Sequence, residues 1–302
     1  MLQILHKTNI NFMGWKNLSF SIAAVMISLG LLALVQISRG KANMGIDFVG
    51  GTTVQLSFKD RLPIDEARTA LDKAGYQGFT LQEFSDGNKI LIRLREHEGV
   101  AEKVVGTIKT AFPARPFEVD STTEIGPTIG ADLQKDALLA VVFSVIAIII
   151  YIAIRFEFKF GVAAAIATIH DVCAVLAVFW IMNKEINLLI VTALLTLAGY
   201  SLTDTVVVFD RIRENLKKAR REPLPQLVND SINEVLSRTI ITSLTVVLVL
   251  VPLVMFGGEV LHDFSLALLL GVMVGTYSSV FVASPILAVW HAKAGGQLIR
   301  KK

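Results

Sequence analysis

Titratable and charged side chains inside long apolar segments are the residues of this sequence with the greatest chemical potential. Asp204 and the adjacent pair His170-Asp171 lie within apolar stretches, and Arg238 lies at the head of another. An ionisable residue is costly inside a membrane-spanning helix, so it is a functional candidate by default. Burial favours the neutral form of a carboxyl group, whereas a nearby guanidinium favours the ionised form. Such a pair can bind and release a proton.

Asp204 lies at the edge of a polar stripe on its segment. The stripe falls within an arc of about 80° at 3.6 residues per turn and consists of Thr192, Thr196, Tyr200 and Thr203. Serine and threonine often bond between membrane helices. Helix packing therefore accounts for the threonines, but it accounts poorly for a carboxylate. We predict that Asp204 is functional.

Arg238 shares a helical face with Thr242 and Thr245. Taken alone, it is explained as a basic anchor whose side chain reaches the lipid headgroups. The polar stripe around Asp204 favours a second interpretation, in which the two polar faces meet each other or a water path. Helix movement would then alter how strongly Arg238 acts on Asp204, and a proton would be loaded and released. We predict Asp204 and Arg238 as a proton path.

His170 and Asp171 point about 100° apart on a helix, so they do not form a dyad on one face. We expect a mutual hydrogen bond or contacts to neighbouring spans. Two interpretations stay open for them, and for Tyr200 and Thr203: helix packing, or a part in the proton path.

Catalytic and metal-binding motifs are missing from the sequence. We find no nucleotide-binding loop, no zinc-type cluster and no nucleophile elbow. Asp171 and Asp204 could be imagined as an intramembrane protease pair, but no accompanying motif supports it. We therefore expect that the protein has no enzymatic activity and binds no cofactor and no metal.

Six apolar segments carry these residues. Apolar residues make up 53% of the chain and charged residues 18%. Each segment has roughly the 20 residues that a helix needs to cross a bilayer, and a helix satisfies its own backbone in lipid. The segments are Leu18–Ile37, Ala137–Ile154, Gly161–Met182, Ile186–Phe209, Ile240–Phe256 and Phe264–Trp290. The fold class is thus an α-helical polytopic membrane protein with six transmembrane helices.

Basic residues give the orientation. They are concentrated at the N-terminus, in the links after spans two and four, and in the tail, so the positive-inside rule places both termini in the cytoplasm. The first span follows Lys7 and Lys16 without a cleavage signal, which predicts a retained anchor. The net charge of +3 carries no nucleic-acid signal. The single cysteine, Cys173, excludes an intramolecular disulfide.

The orientation leaves one long segment on the periplasmic side. Residues 1–38 are predicted as the cytoplasmic N-terminus and first helix, 39–135 as the periplasmic domain, 136–290 as helices two to six, and 291–302 as a cytoplasmic tail. Strands at Thr53–Phe58, Phe79–Phe84, Lys89–Arg95 and Phe117–Ile125 alternate with helices at Ile64–Ala74 and Val100–Ala111. This βαββαβ order predicts a ferredoxin-like α+β domain. Residues 210–238 are predicted as a cytoplasmic loop with an interfacial helix after Pro223 and Pro225.

Several ordered motifs resemble the SecF family of protein-export membrane proteins, within the resistance-nodulation-division superfamily. Gly45-Ile-Asp-Phe-Val-Gly-Gly-Thr52 and Ile125-Gly-Pro-Thr-Ile-Gly130 flank the outer domain; their motif residues are Gly45, Asp47, Gly50, Gly51, Gly126 and Pro127. The segment from Gly199 to Asn215 is the most specific, and Ser237–Thr245 completes the set. Thr203 stands where many members have asparagine, which is a mild polar exchange.

The resemblance implies a half-transporter of the bacterial inner membrane, with SecD as the other half. It implies partners in the SecYEG translocon, YajC, YidC, translocating secretory proteins and membrane lipids. It also implies that the proton motive force assists translocation on the periplasmic side, with Asp204 and Arg238 in the proton path. Two alternatives stay open: a proton-driven exporter of small molecules or lipids, and a passive translocon scaffold.

Overall fold

A computed structural model describes residues 8–84, 87–96, 99–218 and 223–293. These residues form two compact units, each treated separately below. The helical unit comprises residues up to Asn43, Ala140–Lys184 and the chain from Leu189 onwards. The outer unit comprises Met44–Leu139 and the short segment Glu185–Leu188. The predicted tail 291–302 lies outside the described residues beyond 293.

Among the described residues, six helices are long and apolar enough to span a membrane, which confirms the predicted fold class. They are α1 (Lys16–Ser38), α5 (Pro127–Arg155), α6 (Phe158–Ile181), α7 (Leu188–Lys218), α8 (Leu224–Phe256) and a last span. The last span consists of α9 (Gly258–Ser278), a π-helical turn (Ser279–Ala283) and α10 (Ser284–Lys293). A short 3-10 turn, Phe12–Trp15, precedes α1.

The helices of the fourth and fifth spans are longer than their apolar segments. The prediction of a loop at 210–238 is wrong for most of that range, because α7 continues to Lys218 and α8 begins at Leu224. The predicted interfacial helix is the first part of α8 and does not stand alone. Leu227, Val228 and Ile232 are buried in the core of the helical unit, and this packing holds the segment in line with the span.

The outer unit contains the predicted βαββαβ arrangement. It consists of β1 (Gly51–Phe58), α3 (Ile64–Lys73), β2 (Thr80–Glu83), β3 (Lys89–Leu94), α4 (Val100–Ala111) and β4 (Phe117–Ile125). The strand order is β2-β3-β1-β4, and the three strand pairs are antiparallel. Alternate residues of the central strands, such as Val54, Leu56 and Ile92, pack against the two helices to form the core. This is the ferredoxin-like topology.

The Gly45–Gly51 motif adds a short helix, α2 (Ile46–Val49), which the sequence analysis did not predict. Asp47 Oδ2 accepts a hydrogen bond of 3.0 Å from the backbone N–H of Leu188, the first residue of α7. The Gly45 N–H donates to the carbonyl of Ile186, and Arg93 on β3 pairs with Glu185. These contacts join Glu185–Leu188 to the outer unit, which the predicted boundary of 39–135 did not include.

The glycines of this motif are required by close packing. A Cβ at Gly45 would lie 2.7 Å from Glu185 Oε1, and Gly50 has a φ of +77°. A Cβ at Gly50 would lie 3.1 Å from the Cα of Pro127, so the two predicted family motifs pack directly on each other. Pro127 begins α5, where its missing N–H costs nothing, and the carbonyl of Gly126 accepts the N–H of Gly130.

Small residues bring the membrane helices close together. A Cβ at Gly271 would lie 2.6 Å from Leu197, and one at Gly275 would lie 3.1 Å from the Cβ of Ser201. Gly30 of α1 faces the backbone of α6 at Cys173, and a Cβ there would lie 2.6 Å from that carbonyl oxygen. Ala163 and Ala167 on α6 are fully buried. The spacing places α7 and the last span next to each other at the level of Ser201.

Candidate functional site

Asp171 is fully enclosed in the helical unit, with 0% of its surface exposed. Its Oδ2 atom accepts hydrogen bonds from two hydroxyl groups, those of Ser201 on α7 and Ser278 on the last span; the Ser278 bond is 2.7 Å long. Its Oδ1 atom faces Nδ1 of His170 at 2.8 Å. The carboxyl group therefore joins three spans, so both of the expected alternatives are present: the bond between His170 and Asp171 and the contacts to neighbouring spans.

Asp204 lies on α7, one turn beyond Ser201 on the chain, and is 7% exposed. Its Oδ2 atom accepts a hydrogen bond of 2.7 Å from Ser279. The buried hydroxyl of Thr239 on α8 lies beside the same carboxyl group, but outside good hydrogen-bond geometry. In the described part of the chain, neither aspartate forms an ion pair with an arginine or a lysine.

Ser278 and Ser279 are consecutive residues, and each binds a different aspartate. They lie where α9 gives way to the π-helical turn. π-Turns are rare and are frequently found at functional sites. The hydroxyl of Ser284, five residues further on, donates to the carbonyl of Ser279 at 2.8 Å. We call Asp171, Ser201, Asp204, Ser278 and Ser279 the serine–carboxylate cluster.

The polar stripe on α7 mostly faces outward. Thr192, Thr196 and Thr203 are exposed on the surface of this chain, and Tyr200 is partly buried with its hydroxyl 3.4 Å from Ser243. On α8, Arg238, Thr242 and Thr245 are likewise exposed. The hydroxyls of Thr196 and Thr203 donate to the carbonyls of Thr192 and Gly199 on their own helix. We call the exposed threonines of the two helices the threonine face: Thr192, Thr196 and Thr203 on α7, and Thr242 and Thr245 on α8.

The sequence analysis missed the three serines of the cluster and Thr239. Ser278 and Ser279 are ordinary small residues in an apolar segment, and serine is common between membrane helices. Ser201 lies between Tyr200 and Thr203 on the chain, but it points to the opposite side of α7. A search for serines one or more turns from an intramembrane aspartate would have found Ser201, whereas the serines of the last span require the tertiary structure.

Two family models match parts of this chain. Residues 105–293 match the family model described as protein export membrane protein SecD/SecF, C-terminal. Residues 42–60 match the SecD/SecF GG motif. The first model alone covers more than half of the chain.

The chain belongs to the SecD/SecF family.

Relatives of similar length carry the SecF name. The protein translocase subunit SecF of Thermodesulfovibrio yellowstonii is 53% identical over 290 residues, which is 95% of this chain and 96% of the relative. The subunit of the same name from Vibrio alginolyticus is 39% identical over 292 residues, or 95% and 91% of the two chains. The chain is thus a multi-pass membrane protein of the SecF type.

A crystal structure of SecDF from Thermus thermophilus, described as a translocon-associated membrane protein, has the same fold. It is 34% identical, with a TM-score of 0.83 over 94% of this chain. A crystal structure of SecDF in a super-membrane-facing form matches with a TM-score of 0.70. This chain spans 39% of the first SecDF chain and 40% of the second. A SecF-type chain therefore corresponds to one part of a longer SecDF polypeptide.

Proposed function

We propose that this chain is the SecF-type subunit that, together with SecD, uses the proton motive force to assist protein translocation through the SecYEG channel on the periplasmic side. The family and the names of the relatives support a role in protein translocation. The proposal places the chain in the bacterial inner membrane with both termini in the cytoplasm, on the strength of its basic residues.

The observation that carries the proton-driven part is the environment of Asp204. A carboxylate buried in a membrane span is held by a serine hydroxyl and has no ion-pair partner in the described chain. Hydroxyl groups both donate and accept, so they can bond either protonation state of a carboxyl group. One charge crossing 100 mV is worth about 2.3 kcal/mol, which is enough to shift an equilibrium between states a few kcal/mol apart.

The proposed partner face is the threonine face with Arg238. The exposed side of α5 is apolar and suits acyl chains; it presents Leu138, Phe143, Ile146 and Ile150. The exposed sides of α7 and α8 instead present threonines and a guanidinium. A charged side chain in a spanning segment faces another protein or water more readily than lipid. We assign this face as the surface that contacts SecD. At this surface, the guanidinium of Arg238 favours the ionised form of the Asp204 carboxyl group.

The test compares two aspartates on the same helix. Asp204→Asn and Asp210→Asn are introduced into the complete complex, and export of a secretory protein is measured in membranes with and without a proton gradient. Asp210 pairs with Arg155 at the end of the span and serves as the matched control. Asp204→Asn should abolish the stimulation of export by the gradient, and Asp210→Asn should keep it. Full stimulation in Asp204→Asn would favour the passive scaffold and refute the proposal.

A further inference from the structure

The second buried carboxyl, Asp171, has no assigned role in the proposed function. It is more deeply enclosed than Asp204, and a charge at that depth is costly unless it is paired or neutralised. No arginine or lysine of the described chain pairs with it. Its partners are an imidazole and two hydroxyl groups, which are groups that serve a neutral acid as well as a carboxylate.

The two oxygen atoms of Asp171 are in different situations. Oδ2 receives both serine hydroxyls, so a proton on the carboxyl group belongs on Oδ1, opposite His170 Nδ1. When Nε2 of His170 is protonated, that proton can lie on Oδ1 or on Nδ1; when Nε2 is unprotonated, the proton lies on Nδ1 and the carboxyl group is ionised. The other ring nitrogen of His170, Nε2, is buried and has no partner among the described residues. A further proton added at Nε2 converts the pair from a net charge of −1 to neutral.

Ser278 and Ser279 each face two acceptors but carry a single hydroxyl hydrogen. Ser278 lies 2.7 Å from Asp171 Oδ2 and 3.1 Å from the carbonyl of Gly275. Ser279 lies 2.7 Å from Asp204 Oδ2 and 3.0 Å from the carbonyl of Thr276. When Asp204 takes up a proton on Oδ2, Ser279 can turn to the carbonyl of Thr276 and accept the carboxyl hydrogen. When Asp171 takes up a proton on Oδ1, its Oδ2 becomes a weaker acceptor, and Ser278 can donate to the carbonyl of Gly275 instead. Each serine therefore changes partners with the protonation state of its aspartate.

We infer that Asp171, together with His170, is a second proton-binding group of this site, and that Ser278 and Ser279 are positioning residues which couple its proton occupancy to that of Asp204. The inference rests on the proposed function, because it adds a group to the same proton path. The coupling runs through one peptide unit, at the start of the π-helical turn, where the two serines are adjacent. The alternative acceptors of the two hydroxyls, the carbonyls of Gly275 and Thr276, are also adjacent, so both changes of partner act on the same stretch of backbone.

The groups that surround Asp171 are few. Of the titratable groups, His170 is bonded to Asp171 on its own helix, Asp204 lies on α7 within the same cluster, and Tyr277 on the last span lies beside the ring of His170. The ring of Tyr277 is 6.4 Å from that of His170, and its hydroxyl is also buried without a partner among the described residues. Helix α1 carries no titratable side chain beyond Lys16. Each titrating group can therefore be removed singly.

Infrared difference spectroscopy between acid and alkaline conditions tests the inference on the complete complex in membranes. We expect two carboxylic-acid C=O bands in the wild type that Asp171→Asn and Asp204→Asn remove one at a time. Ser278→Ala should move the Asp171 band to higher frequency, because the carboxyl group loses a donor, and should also alter the Asp204 band. Ser265→Ala is the matched control, since Ser265 is a fully buried serine of the same span outside the cluster.

Export supplies the second readout. Asp171→Asn and Ser278→Ala should lose the stimulation by the proton gradient, and Ser265→Ala should keep it. A purely structural Asp171 would stay ionised and give no acid band that depends on it, which would overturn the inference. If the Asp171→Asn variant does not accumulate in membranes, the Ser278→Ala variant provides the test. An Asp171 band at the wild-type frequency together with full stimulation of export in that variant would overturn the inference. Failure of the proposed function is distinct, because it appears as full stimulation in Asp204→Asn whatever bands are present.

Discussion

Carboxylates deep in the helical unit and carboxylates at its surface are held in different ways. Asp171 and Asp204 are bonded by serine hydroxyls and an imidazole. Asp210, six residues after Asp204, pairs with Arg155, and Glu234 on α8 pairs with Arg211. A permanently cationic partner keeps a carboxylate ionised, whereas a hydroxyl tolerates either state. The difference separates groups that anchor helices from groups able to exchange protons.

The largest effect is expected at the close contact between α1 and α6, the helix that carries Asp171. Gly30→Val would force a side chain into the backbone of α6 at Cys173, two residues from Asp171. We expect a loss of about 3 kcal/mol in the free energy of unfolding, the upper end for overpacking. Thermal unfolding of the purified protein measures it. Gly199→Ala is the control, because a Cβ there meets nothing within 4 Å; equal stability of the two variants would contradict the packing.

The hydroxyl groups of the cluster can be compared with those of the threonine face on a single helix. Ser201→Ala removes a donor to Asp171 and should lower the free energy of unfolding by about 1.5 to 3 kcal/mol. Thr203→Val removes a hydroxyl that donates only to its own helix, and its effect should stay within about 0.5 kcal/mol. Chemical denaturation of both variants provides the measurement. Similar losses of stability in the two variants would show that the contact with the carboxyl group of Asp171 does not set the cost.

A third kind of partner for a carboxylate is the backbone at a helix start. Asp47 accepts the N–H of Leu188, so Asp47→Ala should cost about 1 kcal/mol, as for other capping residues. Asp47→Asn keeps an acceptor oxygen and should recover most of that loss. Hydrogen exchange at the amide of Leu188 reports the bond directly. Unchanged exchange in Asp47→Ala would exclude the cap.

The smallest effect belongs to the ion pairs at the exposed helix ends. Glu234→Gln weakens its bond to Arg211, but both side chains are partly exposed and water screens the pair. We expect a loss of about 0.2 to 1 kcal/mol, smaller still at high salt, and no change in the response of export to the proton gradient. A loss of that response would erase the distinction between anchoring and proton-exchanging carboxylates.

The sequence predicted the elements better than it predicted their contacts. The six apolar segments and the pattern of Val54, Leu56 and Ile92 come from local periodicity, and both appear in the structure. The polar stripe on α7 was visible because Thr192, Thr196 and Thr203 repeat at helical spacing. The partners of Asp204 were not, because Ser279 is 75 residues away on the chain. Periodicity gives the face of a helix but does not identify which helix lies against it.

The short segment Glu185–Leu188 has a consequence for how force would pass through the molecule. Because it belongs to the outer unit, the chain crosses between the two units four times: after Asn43, after Leu139, before Glu185 and after Leu188. Two of those crossings are the ends of α6 and α7, which carry Asp171 and Asp204. A domain that is joined to the rest of a chain by four covalent connections resists twisting more than a domain that is joined by two. The ferredoxin-like body is therefore covalently continuous with the helices that carry the two buried aspartates, and not only with α1 and α5.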